Sequence, residues 1–419
     1  MSYLVEYDSI PASDVSQRVG VVSRWIRTDA RPFFAELRER RPIFFTPAFA
    51  FVTKYEDVLE VLSRDDIFSV RLCGSKMDES VGPFMLGRDR TTINYHDKSL
   101  MRLVLAQEDL PRVREMVSQL TEEAVAEASC EGRIELVKNV GRRVPVRLCG
   151  TYFGFPGPDE ESMFRWSKAT QTHFFKNLTD DPEIRQAAVR AGQELTAYLA
   201  GLVTARREVI ATTSDTNRDV LTRLLMAQIP DGLGFEDDRL ITNIAGLLVG
   251  SVETTSQAVV QALEQMLLHP GIRDRAIKAA KANDWAEFDG IVWEALRFNP
   301  INPLVFRYTE TNTVLAEGTT REIEIVSGTI IFACTASAMW DSNFIANPDH
   351  FRVGRASHSY IHFGYAAHEC LGKFVASVMI PEIVRVLFLH NVSLIDGAEG
   401  KIDFEGGPFP ERFVVALEK

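Results

Sequence analysis

The chain has 419 residues, of which 46% are hydrophobic and 25% are charged, a composition typical of a globular enzyme. A formal net charge of −12 argues against nonspecific binding to nucleic acid, which depends on an excess of lysine and arginine. Five scattered cysteines without a C-x-x-C pair favour a reducing, cytoplasmic setting over a disulfide framework. The N-terminal segment has neither a basic start nor a long apolar core, so we expect no signal peptide and no membrane anchor.

The first hundred residues mix short strand-like and helical pieces. The segment AFAFVTKY (48–55) is typical of a strand, and EDVLEVLSR (56–64) places apolar residues at helical spacing. The segment 71–94 contains three glycines and little periodicity. It is therefore predicted to be a long loop, and long loops in compact enzymes are often functional.

The middle of the chain, from about Ser99 to Pro300, has a mostly helical pattern. Its longest part predicts a helix from near Phe235 to His269, ended by Pro270. The middle of this helix is apolar nearly all round, so it should be buried.

The last part of the chain changes to strand-like pieces, VLAEG (314–318) and EIEIVSGTIIFAC (322–334). A further helix is expected over GKFVASVMIPEIVRVLFLH (372–390). No repeat, low-complexity tract or flexible linker divides the sequence. Residues 1–419 are therefore predicted to form one domain that is mostly α with a smaller β portion.

The segment HFGYAAHECLGK (362–373) surrounds a lone cysteine, Cys370. On its own such a cysteine is most often an inert buried thiol. Zinc is weakly supported because only His368 lies nearby, and a nucleophile would need a partner base. Axial ligation of haem would explain the glycine-bearing loop, which lets the backbone approach the ring. The helix beginning near Leu371 would direct its N–H groups at the sulfur and keep the thiol ionised.

The same segment resembles the cysteine-ligand signature F-G-x-G-x-H-x-C-x-G of the cytochrome P450 family. The matching residues are Phe363, Gly364, His368, Cys370 and Gly372. Ala366 departs from the pattern, because the family nearly always has glycine there, and its methyl group would strain the loop if a positive φ is required. The resemblance implies the cytochrome P450 fold with a long central helix, and haem b (iron protoporphyrin IX) bound by these residues with Cys370 as the iron ligand.

Three further motifs agree with this resemblance in order and spacing. In EALR and NPDHFRVGR, the resemblance implies a buried structural network of Glu294, Arg297 and Arg355. In VGSVETT, Gly250 would leave room over the iron, and Glu253 and Thr254 would be the acid and alcohol that deliver protons to bound dioxygen. Without the other motifs, the alternative is a threonine bonded back to a helix carbonyl, with Glu253 reaching solvent.

The haem propionates need cations, and the resemblance assigns this role to Lys98, Arg102, Arg307 and His368. Lys98 replaces a histidine of the family pattern. The residues that would line the substrate pocket are mostly apolar. They are Phe84, Met85, Leu247, Gly250, Ile301, Leu304, Val305 and Phe409. The ligand should therefore be a lipid, terpenoid, polyketide or aromatic compound.

The resemblance implies a soluble bacterial-type haem-thiolate monooxygenase, expected to be a cytoplasmic monomer. Electrons would come from a separate ferredoxin or flavodoxin, docking on cations at Arg112, Arg114 and Lys373. The expected reaction is hydroxylation or epoxidation of a small apolar substrate. Two alternatives stay open: a haem-thiolate isomerase, dehydratase or peroxygenase that consumes a hydroperoxide, and a non-catalytic haem-binding protein.

Overall fold

The computed structural model describes residues 2–212, 219–229 and 235–417. The α-helices are α1 (Tyr3–Ser9), α2 (Val15–Thr28), α3 (Ala30–Arg40), α4 (Tyr55–Ser63), α5 (Arg71–Ser80), α6 (Lys98–Val104), α7 (Leu110–Ala128), α8 (Arg143–Leu148), α9 (Glu160–Phe175), α10 (Pro182–Thr212), α11 (Val220–Met226), α12 (Asp237–Leu267), α13 (Pro270–Ala282), α14 (Trp285–Phe298), α15 (Thr335–Ala338) and α16 (Lys373–Leu389). The β-strands are β1 (Ile43–Phe45), β2 (Ala50–Val52), β3 (Phe68–Ser69), β4 (Arg133–Glu135), β5 (Val305–Thr309), β6 (Thr313–Leu315), β7 (Ile323–Ile325), β8 (Ile330–Ala333), β9 (Ser393–Leu394) and β10 (Val414–Ala416).

These elements form two compact units. We call Met1–Leu72 with Asn302–Cys370 the sheet unit, and Cys73–Ile301 with Leu371–Lys419 the helical unit. The prediction of one domain over residues 1–419 stays a prediction. Among the described residues, we find no helix with the length and apolar character needed to cross a membrane.

The sheet unit is built on a five-stranded sheet with the order β1-β2-β8-β5-β3. Strand β8 pairs in parallel with β2 and antiparallel with β5, and β6 and β7 form a separate hairpin. Helices α1, α2 and α3 cover this sheet with an aromatic core, in which Phe51 and Phe332 stack with ring centroids 5.4 Å apart. The strands predicted in 48–55, 314–318 and 322–334 are confirmed as β2, β6, β7 and β8, and the predicted early helix is confirmed as α4.

The helical unit is organised around α12, which packs against α9, α10, α14 and α16. This helix confirms the predicted long helix but is shorter at both ends, because Glu236 is its N-cap and Pro270 already begins α13. One of its poor helix formers has a packing role. A Cβ atom at Gly246 would lie 2.2 Å from the Phe84 ring, so glycine lets that ring pack against the helix.

The prediction of a long loop over 71–94 is wrong for its first part, which forms α5. The rest contains a 3-10 turn at Met85–Gly87 and leads into a π-helical turn at Ile93–Asp97. Glycine lowers helix propensity and hid α5 from the pattern. In the fold, Gly74 lets α5 contact the following turn closely, since a Cβ there would lie 2.6 Å from the Gly87 carbonyl oxygen.

Candidate active site

The cysteine loop (residues 362–370) is a tight turn of the sheet unit. The Cys370 N–H donates to the Phe363 carbonyl oxygen at 2.9 Å, and the Glu369 N–H donates to the Ala366 carbonyl oxygen at 3.0 Å. The Cys370 side chain is exposed. Cys370 also comes two residues before Gly372, the N-cap of α16. An exposed thiol is accessible to a metal, so Cys370 stays the predicted ligand.

Two backbone positions shape this loop. Gly364 has φ +74°, in the left-handed region that suits glycine. Ala366 has φ +57°, so the residue that departs from the family signature occupies a conformation that costs a side-chain-bearing residue about 1 kcal/mol or more. The positive φ on which the expected strain at Ala366 depends is therefore present, and the strain itself stays a prediction.

Ala366→Gly should therefore raise the free energy of unfolding by about 1 kcal/mol, because glycine adopts this φ without a steric cost. Urea unfolding followed by circular dichroism measures the change. Ala367→Gly is the matched control, since Ala367 lies in the same turn without a positive φ and should lose stability when mutated. Equal effects of the two substitutions would contradict strain at Ala366.

Other predicted haem contacts also lie in the sheet unit. His368 is buried in the 3-10 turn Ala366–His368, which packs against α4. Arg307 is buried on β5 and donates from Nη1 to the Phe306 carbonyl oxygen at 2.8 Å. Leu304 is partly buried against the core of the sheet unit. The cysteine loop and two of the residues predicted to bind the haem propionates therefore belong to the same unit.

Helix α12 of the helical unit carries a short open stripe, formed by Gly250 and Thr254. Gly250 is exposed although most of the surrounding helix is buried, and a Cβ atom there would meet no atom within 4 Å. The Thr254 hydroxyl donates to the Gly250 carbonyl oxygen at 2.5 Å, which leaves the lone pairs of the hydroxyl oxygen available to a further donor. The preceding turn is apolar, with Leu247 and the Phe84 ring both buried.

Glu253 points away from this stripe and is only 1% exposed. Its Oε1 and Oε2 both accept from Arg142 Nε at 3.0 Å, and Oε2 also accepts from Arg142 Nη2 at 2.9 Å. Burial raises the pKa of the Glu253 carboxyl above its ordinary value, and the Arg142 charge opposes that shift. The acid of the predicted acid–alcohol pair is therefore held in an ion pair.

Arg142 also binds a second carboxylate. Its Nη1 and Nη2 donate to Glu411 at 3.0 and 3.1 Å, and Nη2 donates to the Pro410 carbonyl oxygen at 3.1 Å. Lys168 completes a quartet by contacting Glu411 at 2.7 Å, with 46% of the lysine side chain exposed. We refer to Glu253, Arg142, Glu411 and Lys168 as the quartet.

The sequence analysis missed Arg142 and Glu411. A π-helical segment, Val137–Arg142, brings the arginine to α12. The approach depends on Gly141, because a Cβ there would lie 2.6 Å from Ser256 Oγ. The available sequence signal was a glycine before a paired arginine, which alone does not indicate a partner 111 residues away.

The remaining residues predicted to contact haem or substrate differ in burial. Lys98 and Arg102 are on α6, with Lys98 half-buried and Arg102 exposed. Three predicted pocket residues, Phe84, Met85 and Phe409, are buried side chains of the helical unit. Ile301 and Val305 are partly exposed.

The residues predicted to be structural form close contacts within their own units. Glu294 and Arg297 are both fully buried on α14 and form an ion pair at 2.8 Å. In the sheet unit, Arg355 donates to the carbonyl oxygens of Ala346, Asn347 and His350 at 2.6 to 3.0 Å. A threefold carbonyl contact of this kind fixes the course of the chain ahead of the cysteine loop.

The structure corrects one residue of the predicted docking surface. Arg114 is mostly buried and forms ion pairs with Asp289 at 2.5 Å and Glu382 at 3.2 Å. Its charge is therefore already matched inside the helical unit. Arg112 has 39% of its side chain exposed and lies 3.7 Å from Asp109.

Comparison with known proteins identifies the class. The sequence model of the family described as Cytochrome P450 matches residues 46–403, so the chain belongs to the cytochrome P450 family. Pulcherriminic acid synthase of Bacillus subtilis is 21% identical over 89% of this chain and 91% of its own length. Steroid C26-monooxygenase of Rhodococcus jostii is 26% identical over 85% of this chain and 75% of its own length.

Solved structures agree on the fold. Cytochrome P450 CYP109Q5 from Chondromyces apiculatus superposes with a TM-score of 0.77 at 19% identity, covering 94% of this chain and 96% of that chain. PksS, the cytochrome P450 of the Bacillus subtilis bacillaene polyketide synthase, gives 0.77 at 21% identity, covering 94% and 98%. The predicted fold class is confirmed, and the chain is a monooxygenase that binds haem b.

The residues present fit this cofactor. Haem would need a protein side chain to ligate its iron, and a cysteine thiolate is one side chain that could do so. Cys370 is an exposed thiol, whereas Cys149 and Cys334 are fully buried and burial raises the pKa of both thiols. Among the described residues, no group of three or more histidine, cysteine or carboxylate side chains forms an alternative metal site.

Proposed function

We propose that this chain inserts one oxygen atom from dioxygen into a small apolar organic substrate, by hydroxylation or epoxidation, with electrons from a separate ferredoxin or flavodoxin. The observation that carries the proposal is the Thr254 hydroxyl on the open stripe, adjacent in sequence to a buried carboxyl at Glu253. An alcohol on an accessible helix face, next in sequence to an acid that could resupply its proton, is a combination suited to proton delivery.

The proposal gives each residue a role. Cys370 would ligate the haem iron, and a thiolate-ligated haem supplies the electron density that favours O–O cleavage. Thr254 would hold a water molecule by accepting its hydrogen bond, and Glu253 would replace the proton that this water gives up. Lys98, Arg102, Arg307 and His368 would bind the propionates, with Phe363, Gly364 and Gly372 shaping the ligand loop.

An apolar substrate is supported by the residues near the open stripe. Leu247 and Phe84 present aliphatic and aromatic surface on the turn before Gly250, and neither carries a charge. Of the two relatives named above, one is a steroid C26-monooxygenase, and steroids are largely apolar. The other is pulcherriminic acid synthase. Burial of apolar area would then dominate substrate affinity.

A separate donor is supported by the cations that remain accessible. Arg112 keeps 39% of its side chain exposed, and Lys373 is half-buried at the start of α16. On a chain with net charge −12, such local cations would steer an acidic ferredoxin, so the reduction rate should fall as salt is added.

The function is tested by isotope incorporation. Apolar compounds are screened for a shift in the haem spin state, and the strongest is incubated with ¹⁸O₂, a ferredoxin and its reductase. One ¹⁸O atom in the product supports the proposal. Turnover with hydrogen peroxide alone, and no label from ¹⁸O₂, would instead establish a hydroperoxide-using enzyme.

Thr254→Val should divert reducing equivalents from product to hydrogen peroxide, because an isosteric side chain without a hydroxyl cannot hold the water. Product per reducing equivalent should fall by up to about a hundredfold, the lower end of the usual contribution of a positioned proton donor. Thr255→Val is the matched control, because it removes the same hydroxyl group from a buried position of the same helix. Unchanged coupling in Thr254→Val would remove Thr254 from its role.

A further inference from the structure

Helix α9 buries four polar side chains, and one of them has an amide oxygen without a hydrogen-bond donor. Ser167, Thr170 and His173 each form a hydrogen bond with another protein group. Gln171 is only 6% exposed, and its Oε1 accepts no hydrogen bond from the part of the chain that the structure describes. An unpaired buried amide oxygen destabilises a fold, so proteins normally supply such a group with a partner.

Two neighbouring residues on α9 show which way Gln171 faces. Ser167, four residues earlier, donates to the Leu248 carbonyl oxygen of α12 at 3.4 Å. Lys168, three residues earlier, contacts Glu411 at 2.7 Å. Residues that are three and four positions apart share one face of a helix. Gln171 therefore faces the region between α12 and Glu411.

The contacts of α5 place Gln171 along the length of α12. The last turn of α9 bonds to α5, and the carbonyl oxygen of the residue after α5 accepts a hydrogen bond from Thr242 of α12 at 3.0 Å. Helix α9 therefore runs from the level of Leu248 towards that of Thr242, and Gln171 lies opposite the turn between them. That turn carries Gly246, against which the Phe84 ring packs. The unpaired amide is thus at the level of a predicted pocket side chain.

We propose that Gln171 is a specificity-determining residue, whose amide oxygen accepts a hydrogen bond from a hydroxyl or amide N–H group of an otherwise apolar substrate. This inference rests on the proposed function, and it deepens that function by naming a polar group that the substrate carries. The open stripe of Gly250 and Thr254 lies about two turns further along α12, roughly 10 Å away. The donor group of the substrate is therefore remote from the carbon that is oxidised.

The burial of Gln171 makes such a contact selective. A substrate with a donor satisfies the amide oxygen, whereas an analogue without one leaves that oxygen unpaired in apolar surroundings. A site that hydrogen-bonds a substrate hydroxyl discriminates against the analogue lacking it more strongly than an apolar pocket discriminates by size. We expect an alcohol to bind at least about tenfold more tightly than its methyl ether.

The test is a cycle of two ligands and two proteins, carried out on the haem-loaded chain. Farnesol, cyclododecanol and thymol, each beside its methyl ether, are titrated by isothermal calorimetry into wild type and Gln171→Met. In wild type the tightest-binding alcohol should be preferred over its ether about tenfold, and Gln171→Met should remove this preference by weakening the alcohol alone. Equal losses for the alcohol and the ether, or a preference that survives in the variant, would overturn the inference.

Stability provides a readout without any ligand. Gln171→Met should leave the thermal midpoint unchanged or raise it, because an unpaired amide is replaced by an apolar side chain of similar size. Gln257→Met is the matched control. Gln257 is also buried, but its Nε2 donates to the Ile301 carbonyl oxygen at 3.1 Å, so its midpoint should fall. An equal fall in Gln171→Met would overturn the inference, since the amide would then already be bonded in the free protein.

The position of oxidation separates this inference from the proposed function. With the preferred alcohol, a ferredoxin and its reductase, the ¹⁸O atom from dioxygen should enter at a carbon remote from the hydroxyl group. Oxidation at the carbon that bears the hydroxyl would overturn the anchoring role of Gln171. Absence of ¹⁸O from every product, together with a preference for the alcohol that depends on Gln171, would overturn the proposed function and support the binding role.

Discussion

Cys370→Ser should abolish the red-shifted absorption band that thiolate-ligated haem gives in its reduced carbon-monoxide complex. A serine hydroxyl is not ionised near neutral pH, so it cannot replace the thiolate as an electron-donating axial ligand. The measurement is the difference spectrum of the reduced protein with and without carbon monoxide. Loss of the band, or of haem itself, is the expected result.

Cys130→Ser is the matched control for this experiment, because Cys130 is the other exposed cysteine among the described residues. It should keep the band. A Cys370→Ser protein that retains the band would mean that another cysteine is the ligand. The buried thiols at Cys149 and Cys334 are poor candidates, since burial raises the pKa of each.

Arg297→Met should lower the free energy of unfolding by about 3–5 kcal/mol, the usual effect of removing one partner of a buried ion pair. Both Arg297 and Glu294 are fully buried, so the substitution leaves a carboxylate without its counter-charge in a low-dielectric setting. Urea unfolding followed by circular dichroism measures the change.

Arg275→Met provides the comparison, because Arg275 pairs with Glu287 of the same helix α14 while 49% of its side chain is exposed. Exposed pairs of this kind contribute about 0–1 kcal/mol. Comparable losses in the two variants would show that Arg297 contributes no more than a surface arginine does.

The sequence predicted the elements whose signals are local. Helix α12 was found because its apolar residues and the proline after it lie within one segment, and the cysteine loop was found because its spacing is specific. Helix α5 was missed because Gly74 weakens a helical pattern, although in the fold that glycine serves close packing against Gly87.

Long-range electrostatic partners could not be predicted in the same way. Nothing within a few residues of Arg142 indicates that it binds Glu253, because the contact depends on the π-helical segment and the missing side chain of Gly141. For Arg114, the sequence analysis predicted an exposed cation where the fold has a buried ion pair. Its position in the sequence is that of an exposed helical cation, but α14 and α16 each supply a carboxylate that binds it.

The quartet has alternating signs and sums to no net charge. Any single substitution that removes a charge from it leaves an odd charge in a desolvated place, whereas removing Arg142 together with Glu253 keeps the remaining pair of Glu411 and Lys168 balanced. These four positions are therefore electrostatically coupled, and the effects of substitutions among them on stability should not be additive. An engineer who alters the acid of α12 for a new reaction has to redesign its arginine in the same step.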